Sequence, residues 1–200
     1  MNQPLITIQD IEAILQPETD LERFFIGLPE IQKGLLWGEP RYGHPEGKVL
    51  YHIVEIYKNI DCISPPLSIK DRERLRIITL LHDTFKYAED KNYPRDWSKH
   101  HGILARLYAE SYISTKSTLD IIELHDEAYY CWRLEVLEDV KEQAQLRLTQ
   151  LFERLKGRLQ LFYIFFKCDT ATGDKTQAPV KWFEKKVEGI ERISFQIGLK

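Results

Sequence analysis

One stretch of this sequence, Ile77-Ile78-Thr79-Leu80-Leu81-His82-Asp83, decides the fold: an apolar run that leads directly into an imidazole and a carboxylate. A helix that carries apolar residues into a core gains nothing from two polar groups there, because burying either without a partner is costly. A metal ion is a partner that satisfies an imidazole and a carboxylate at once. We therefore expect a buried helix that brings His82 and Asp83 to a metal site.

Two further polar residues lie at the edges of strongly apolar segments. His52 is followed by Ile56 and Ile60 at spacings of four, so it faces the core on a helix. Asp169 follows Phe165 by four residues and therefore also faces inwards. A single histidine in such a position is usually a hydrogen-bonded core residue. Together with His82 and Asp83, however, these residues indicate one metal site assembled by folding.

The hydrophobic pattern is helical along nearly the whole chain, without a convincing alternating strand or a repeat. We predict an all-α single domain over residues 1–200, which is long enough for an ample core. The expected helical segments are residues 8–15, 18–25, 49–60, 68–87, a helix capped by Ser98, a helix capped by Thr118 that carries His125, residues 134–166 with a break at Gly157, and a charged helical tail over 180–200.

Composition and charge exclude several classes of protein. A net charge of −3 and a pI near 6.1 give no general attraction to nucleic acids or anionic membranes. The start of the chain lacks the features of a secretory signal, and the apolar run at 159–166 is too short to span a bilayer. The cysteines are too widely spaced for a disulfide framework or a thiolate zinc site. We expect a cytoplasmic protein without a membrane partner, and a homodimer is allowed.

Three local motifs give a specific resemblance to a known family. Residues 43–52 read Gly-His-Pro-Glu-Gly-Lys-Val-Leu-Tyr-His, residues 81–86 read Leu-His-Asp-Thr-Phe-Lys, and residues 169–173 read Asp-Thr-Ala-Thr-Gly. In this order they resemble the HD-domain superfamily of metal-dependent phosphohydrolases. The first motif is similar to that of the HD domains attached to bacterial tRNA nucleotidyltransferases. The resemblance implies an HD-type helical bundle with its core at about residues 43–173, here expected to stand alone.

The resemblance also implies the ligands of a first metal ion, His52, His82, Asp83 and Asp169. Mixed imidazole and carboxylate ligation suits Mn, Fe, Ni, Mg or Zn, and the residue types alone do not choose among them. The implied activity is hydrolysis of a small phosphorylated substrate, a nucleotide or another phosphomonoester or phosphodiester, by water that the metal activates.

Some members of this family hold a second metal ion with histidines from the intervening helices. His101 shares a helix face with Leu104, and His125 follows Ile121 by four residues, so both are predicted to face inwards. His100 lies off that face. We expect His101 and His125 to be ligands of a second metal or phosphate-contacting groups, and the alternative is that they are core or solvent-edge histidines.

Two residues are candidates for the chemical step itself. Asp83, as a carboxylate between two metal ions, is a candidate bridging ligand and general base. Lys86 follows one helical turn later and is a candidate to neutralise a phosphate oxygen, although a solvated lysine is the plainer interpretation. Asp126 forms a second His-Asp dipeptide with His125, but we expect it on the exposed side of its helix. His44 is expected to order its loop or to lie at the edge of the substrate.

One departure from the family pattern supports a different function. Phe85 replaces the glycine of the motif, and a phenyl group there either crowds the substrate or packs beneath the helix. The first case favours a catalytically degenerate module that binds a nucleotide or a protein. A third hypothesis is a di-iron oxygenase, because some relatives of the fold use such a centre.

Overall fold

The computed structural model describes residues 6–196, and this part of the chain is predominantly helical. The prediction of an all-α protein is confirmed. The helices are α1 (Ile8–Leu15), α2 (Asp20–Ile26), α3 (Pro29–Leu35), α4 (Val49–Asp61), α5 (Ile69–Leu81), α6 (His101–Ala109), α7 (Lys116–Leu124), α8 (Glu127–Trp132), α9 (Lys141–Arg154), α10 (Leu159–Thr170) and α11 (Ala178–Lys186). Two short strands, β1 (Ile63–Ser64) and β2 (Ser194–Phe195), pair antiparallel with Ile63 opposite Phe195.

Side-chain caps fix where the early helices begin. Thr7 accepts a hydrogen bond from the backbone N–H of Asp10, whose carboxylate accepts from the backbone N–H of Thr7. Thr19 and Glu22 form the same capping box at the start of α2. These pairs satisfy N–H groups that have no partner within the helix.

The centre of the molecule is α10, whose residues from Leu161 to Phe166 are all buried. A helix that is apolar on every side belongs in the middle of a protein. It packs against α4 and α5, and α5 in turn packs against α7. The last seven residues of α5 are also buried. The helices that carry His52, His82 and Asp169 are therefore neighbours in the core.

Helix α5 ends earlier than the sequence predicts. It stops at Leu81 and gives way to turns and a short 3-10 segment over Lys86–Ala88, whereas we predicted a helix to residue 87. The imidazole of His82 lies 2.8 Å from the carbonyl oxygen of Thr79, and the Thr84 hydroxyl donates to the carbonyl of Leu81. These side chains occupy carbonyls that a continuing helix would need.

The predicted caps of α6 and α7 are wrong. His100, not Ser98, caps α6, because its Nδ1 accepts a hydrogen bond from the backbone N–H of Gly102. Ser98 lies in a separate 3-10 turn capped by Asp96. Helix α7 follows Thr115, and Thr118 is a buried residue inside its first turn.

The C-terminal third also differs in detail. A π-helical turn (Arg133–Leu137) and α9 precede the break at Gly157, which was predicted and has φ +76°. The charged tail is helical only to Lys186, and the chain is then extended into β2. Residues 197–200 of the predicted tail lie outside the described residues. Helix α3 was not predicted and begins with Pro29 at its first position. Within residues 6–196 no helix has the length and apolar character needed to cross a bilayer.

Candidate metal centre

The fold brings all six predicted metal ligands into one buried cluster. His52 comes from α4, His101 from the first position of α6, and Asp169 from near the end of α10. His82 with Asp83 and His125 occupy the positions directly after α5 and α7. Helix ends that converge on one point can place several side chains within a few ångströms of each other.

The first half of the cluster surrounds one carboxylate oxygen of Asp83. Asp83 Oδ2 lies 3.4 Å from His82 Nε2 and 3.8 Å from His52 Nε2. The same His52 nitrogen lies 2.9 Å from Asp169 Oδ1. His52, His82 and Asp83 each offer an atom that could hold a single metal ion.

The second half surrounds the other oxygen of Asp83. Asp83 Oδ1 lies 3.3 Å from His101 Nε2 and 3.5 Å from His125 Nε2. The two imidazole nitrogens are 3.1 Å apart. Asp83, His101 and His125 therefore form a second group with the spacing of metal ligands, and Asp83 belongs to both groups.

The donor atoms of the cluster need a partner that the protein does not supply. His82 Nε2 and Asp83 Oδ1 are buried and have no hydrogen-bond partner among residues 6–196. Leaving such atoms unsatisfied costs about 1–3 kcal/mol each, and more where a group is charged. A cation coordinated by these atoms would remove that cost, and imidazole with carboxylate is a donor set suited to a divalent metal. The residues present therefore fit a metal ion.

Backbone carbonyls orient two of the four histidines. The Nδ1 atoms of His82 and His125 lie 2.8 Å from the carbonyl oxygens of Thr79 and Ile122, respectively. Since a carbonyl only accepts, Nδ1 of each ring donates the hydrogen bond, and Nε2 is left as the nitrogen that can bind a metal. In both rings Nε2 faces the cluster, as metal ligation requires.

Buried carboxylates lie behind the other two histidines. Glu46 Oε1 is 3.2 Å from His52 Nδ1, and Glu89 Oε2 is 3.4 Å from His101 Nδ1. Burial would raise the pKa of Glu46, but hydrogen bonds from His44 and His52 hold it well below its usual value. Burial likewise opposes the lower pKa of Glu89, which His101 helps to bring to about 2. Both glutamates are thus carboxylates that can hold the Nδ1 protons.

The cluster concentrates negative charge in the interior. Burial tends to raise the pKa of Asp83, yet the positive charge of Lys86 helps to hold it well below its ordinary value, so Asp83 is ionised. Burial lowers the pKa of His82 and keeps this ring neutral, which is the form that binds metals. Burial also lowers the pKa of His125, but Asp126 and Asp83 outweigh it and raise the pKa to about 10. Asp83 and Asp126 therefore stabilise positive charge that lies between them.

The expectation that Asp126 lies on the exposed side of its helix is wrong, and His100 lies closer to the cluster than its position off the inward face indicates. Asp126 is not on an exposed face: its Oδ2 lies 3.4 Å from Nε2 of both His101 and His125. His100 is buried, with Nε2 3.6 Å from the same carboxylate oxygen. Because its Nδ1 accepts the Gly102 N–H, the proton of a neutral His100 is on Nε2. His100 is therefore a donor toward Asp126 rather than a metal ligand.

Two lysines contact the metal-facing carboxylates. Lys86 Nζ is 2.5 Å from Asp83 Oδ2, so this predicted residue lies at the site. Lys175, which the sequence analysis did not select, lies 3.0 Å from Asp169 Oδ1. Lys175 and Glu89 belong to no helical pattern from which an inward-facing side chain could be predicted. Glu46 belongs to the motif at residues 43–52, although no role was predicted for it.

A cavity of about 580 Å³ opens beside the cluster, a size that suits a small-molecule ligand. His44 lies at its wall and binds Glu46 through Nδ1 at 2.9 Å, which agrees with its predicted loop-ordering or edge position. Phe85 does not line the cavity. Its ring is 8% exposed and packs against Tyr87 and Tyr108. The phenyl group therefore belongs to the core beneath the site.

No family model, curated protein or solved structure matches this chain. The chemistry of the site consequently rests on its own geometry.

Proposed function

We propose that this protein is a metal-dependent phosphohydrolase of the HD type that cleaves a phosphate ester of a nucleotide or a related phosphodiester. The observation that carries the proposal is the shared carboxylate of Asp83. One of its oxygens faces His52 and His82, and the other faces His101 and His125. Paired metal sites that share a ligand are typical of enzymes that act on phosphate esters.

The residues divide into two ligand groups in this proposal. His52, His82, Asp83 and Asp169 hold one ion, while Asp83, His101 and His125 hold the other. A divalent metal at these positions supplies a water of lowered pKa and polarises a phosphoryl oxygen. The four imidazole ligands are oriented before substrate arrives. Backbone carbonyls or buried carboxylates hold the Nδ1 atom of each ring, on the side away from the cluster.

Other side chains at the cavity serve the chemical step. Asp83 would be occupied as a ligand in both groups, so Asp126 is the better candidate for the general base, with its Oδ2 at the cavity beside His101 and His125. In the proposed step a water oxygen bonds to phosphorus, Asp126 accepts the proton, and the bond to the leaving oxygen breaks. Lys86 lies within reach to neutralise the charge that develops on the phosphoryl oxygens.

The alternative of a degenerate binding module rested on Phe85. That residue packs in the core and does not line the cavity, so no observation now favours a crowded and inactive site. A di-iron oxygenase remains a distinct outcome of the experiment below.

The test combines metal content with hydrolysis. Purified wild type, His82→Ala and Asp83→Asn are analysed by elemental mass spectrometry after reconstitution with Mn, Ni, Fe, Mg or Zn. Each is then assayed with p-nitrophenyl phosphate, its bis-ester and a nucleotide panel. Asp61→Asn is the matched control, because this exposed carboxylate of α4 pairs with Arg72 and does not line the cavity.

We expect stoichiometric metal and hydrolysis in wild type and in Asp61→Asn. Both should be lost in the two site variants, with activity lower by about a thousandfold or more. A wild type that binds no metal, or equal hydrolysis by all four proteins, would overturn the proposal. Bound iron with an oxygen-dependent product and no hydrolysis would favour the oxygenase instead.

A further inference from the structure

The cavity beside the cluster carries an unusual set of basic side chains. Four of them line it, and the four acidic residues that also line it balance their charge. The basic residues are Lys86, Lys91, Arg95 and Lys175, and the acidic ones are Asp83, Glu89, Asp126 and Asp169. These eight side chains together carry no net charge, and each divalent ion that the cluster binds would add two positive charges that they do not compensate.

The basic groups lie at both ends of the ligand cluster. Lys86 and Lys175 contact Asp83 and Asp169 beside His52, in the first half. At the other end Arg95 forms an ion pair with Glu89, the carboxylate behind His101. An anion long enough to span the cavity can contact basic groups at both ends.

Arg95 also has an unused hydrogen-bond donor. Its Nε is buried and has no hydrogen-bond partner in the described part of the chain, although the residue lines the cavity. A guanidinium N–H pairs strongly with a phosphate oxygen, often through two parallel bonds. Lys91 adds an exposed ammonium to the cavity wall, 5.4 Å from the ring of Trp37.

The amount of charge indicates what kind of anion fits. A single phosphate monoester carries about 1.5 to 2 negative charges near neutral pH, which matches one divalent ion. Two divalent ions with basic groups at both ends require more charge, spread over a longer ligand. Two or more linked phosphate groups provide both.

On the basis of the proposed metal centre, we propose that this cavity selects a ligand with two or more linked phosphate groups over a single phosphate. Lys175 contacts the phosphate at the end near His52, Arg95 contacts the other end, and Lys91 adds positive charge to the cavity wall. A nucleoside diphosphate or triphosphate, or an inorganic polyphosphate, is the class of ligand that this arrangement fits.

The test measures binding of two probes that the protein cannot hydrolyse. Methylenediphosphonate and methylphosphonate are titrated by calorimetry into protein dialysed free of unbound metal, and the metal content of the same sample is measured. The variants are Lys175→Met, Arg95→Met and the exposed Lys91→Met, which leaves folding intact. Lys99→Met is the matched control, since Lys99 lies outside the cavity, is 55% exposed and pairs with Asp90 and Asp96.

We expect wild type and Lys99→Met to bind the diphosphonate about tenfold more tightly than the monophosphonate. Lys175→Met and Arg95→Met should reduce that ratio to near one, and Lys91→Met should reduce it severalfold. Equal affinity for the probes, no binding of either, or a ratio that all three variants leave unchanged would overturn the inference. Bound metal without the preference would refute this inference alone, whereas the preference without bound metal would refute the metal centre alone.

Discussion

At the scale of single residues, the histidine ring orientation decides which imidazoles are ligands. His82 and His125 each donate a hydrogen bond from Nδ1–H to a backbone carbonyl, and their Nε2 atoms face the cluster. His100 is held the opposite way, because its Nδ1 caps α6. The roles of these three neighbouring histidines thus differ, because Nδ1 donates a hydrogen bond in two of the rings and accepts one in the third.

The two buried glutamates behind His52 and His101 should tune metal affinity. Glu46→Gln and Glu89→Gln keep the shape of the side chain but remove the charge that fixes the Nδ1 proton. We expect each to weaken metal binding by about 10–100-fold, measured by competition with a chelator of known affinity. Glu110→Gln, at an exposed position directly after α6, is the control. Unchanged affinity in the first two variants would contradict an orienting role.

Phe85 should contribute to stability and not to ligand binding. Its ring is 8% exposed and packs on Tyr108, so Phe85→Ala should lower the free energy of unfolding by about 3 kcal/mol. The control Phe24→Ala removes a ring that is 46% exposed and should cost at most about 1 kcal/mol. Urea unfolding and metal content check both statements. A stable Phe85→Ala protein with tighter ligand binding would show instead that the ring obstructs the cavity.

At the scale of elements, the crossing of α6 and α7 sets the distance between His101 and His125. Gly102 lies at this crossing, and a Cβ there would approach the carbonyl oxygen of Glu123 to 2.6 Å and His125 Cε1 to 3.2 Å. The absence of a side chain lets the two helices approach closely enough for the two imidazoles to meet.

Gly102→Ala should therefore damage the site as well as the fold. We expect a loss of about 1–3 kcal/mol in the free energy of unfolding, because the backbones of the two helices must separate. Metal bound by the His101 and His125 group should fall first, seen as a drop in metal per chain. Gly27→Ala is the control: Gly27 is in the right-handed helical region with φ −70°, and this change should be nearly neutral. Equal metal content in both variants would refute this view.

At the scale of the whole molecule, the proposed ligands join five helices or the turns that follow them. Metal that binds the folded chain should therefore stabilise all of it. At a free metal concentration of about 100 times Kd the gain is about 2.7 kcal/mol, which raises the unfolding temperature by about 5–10 °C. Scanning calorimetry with metal and with excess chelator measures this, and Asp83→Asn serves as the control without a response. Identical transitions for wild type in both conditions would contradict a metal centre that links these helices.

The sequence alone predicted the helical architecture and the inward-facing ligands. Regular spacing identified His52, Asp169 and the stretch that ends at Asp83, because a period of 3.6 residues assigns a side chain to the buried face before any tertiary contact is known. The same reasoning placed His101 and His125 on inward faces. Local capping chemistry is less decisive, and the predicted starts of α6 and α7 were wrong because neighbouring residues compete for the same cap.

Only the tertiary structure decided what surrounds those ligands. Glu89, Lys175 and Arg95 lie in loops where no periodicity relates sequence position to direction, so their contact with the site depends on how distant segments pack. Asp126 was assigned to an exposed face, yet the close approach of α6 turns that position into the wall of a cavity. Helical spacing fixes a direction within one element, but distances between elements follow from packing of the whole core.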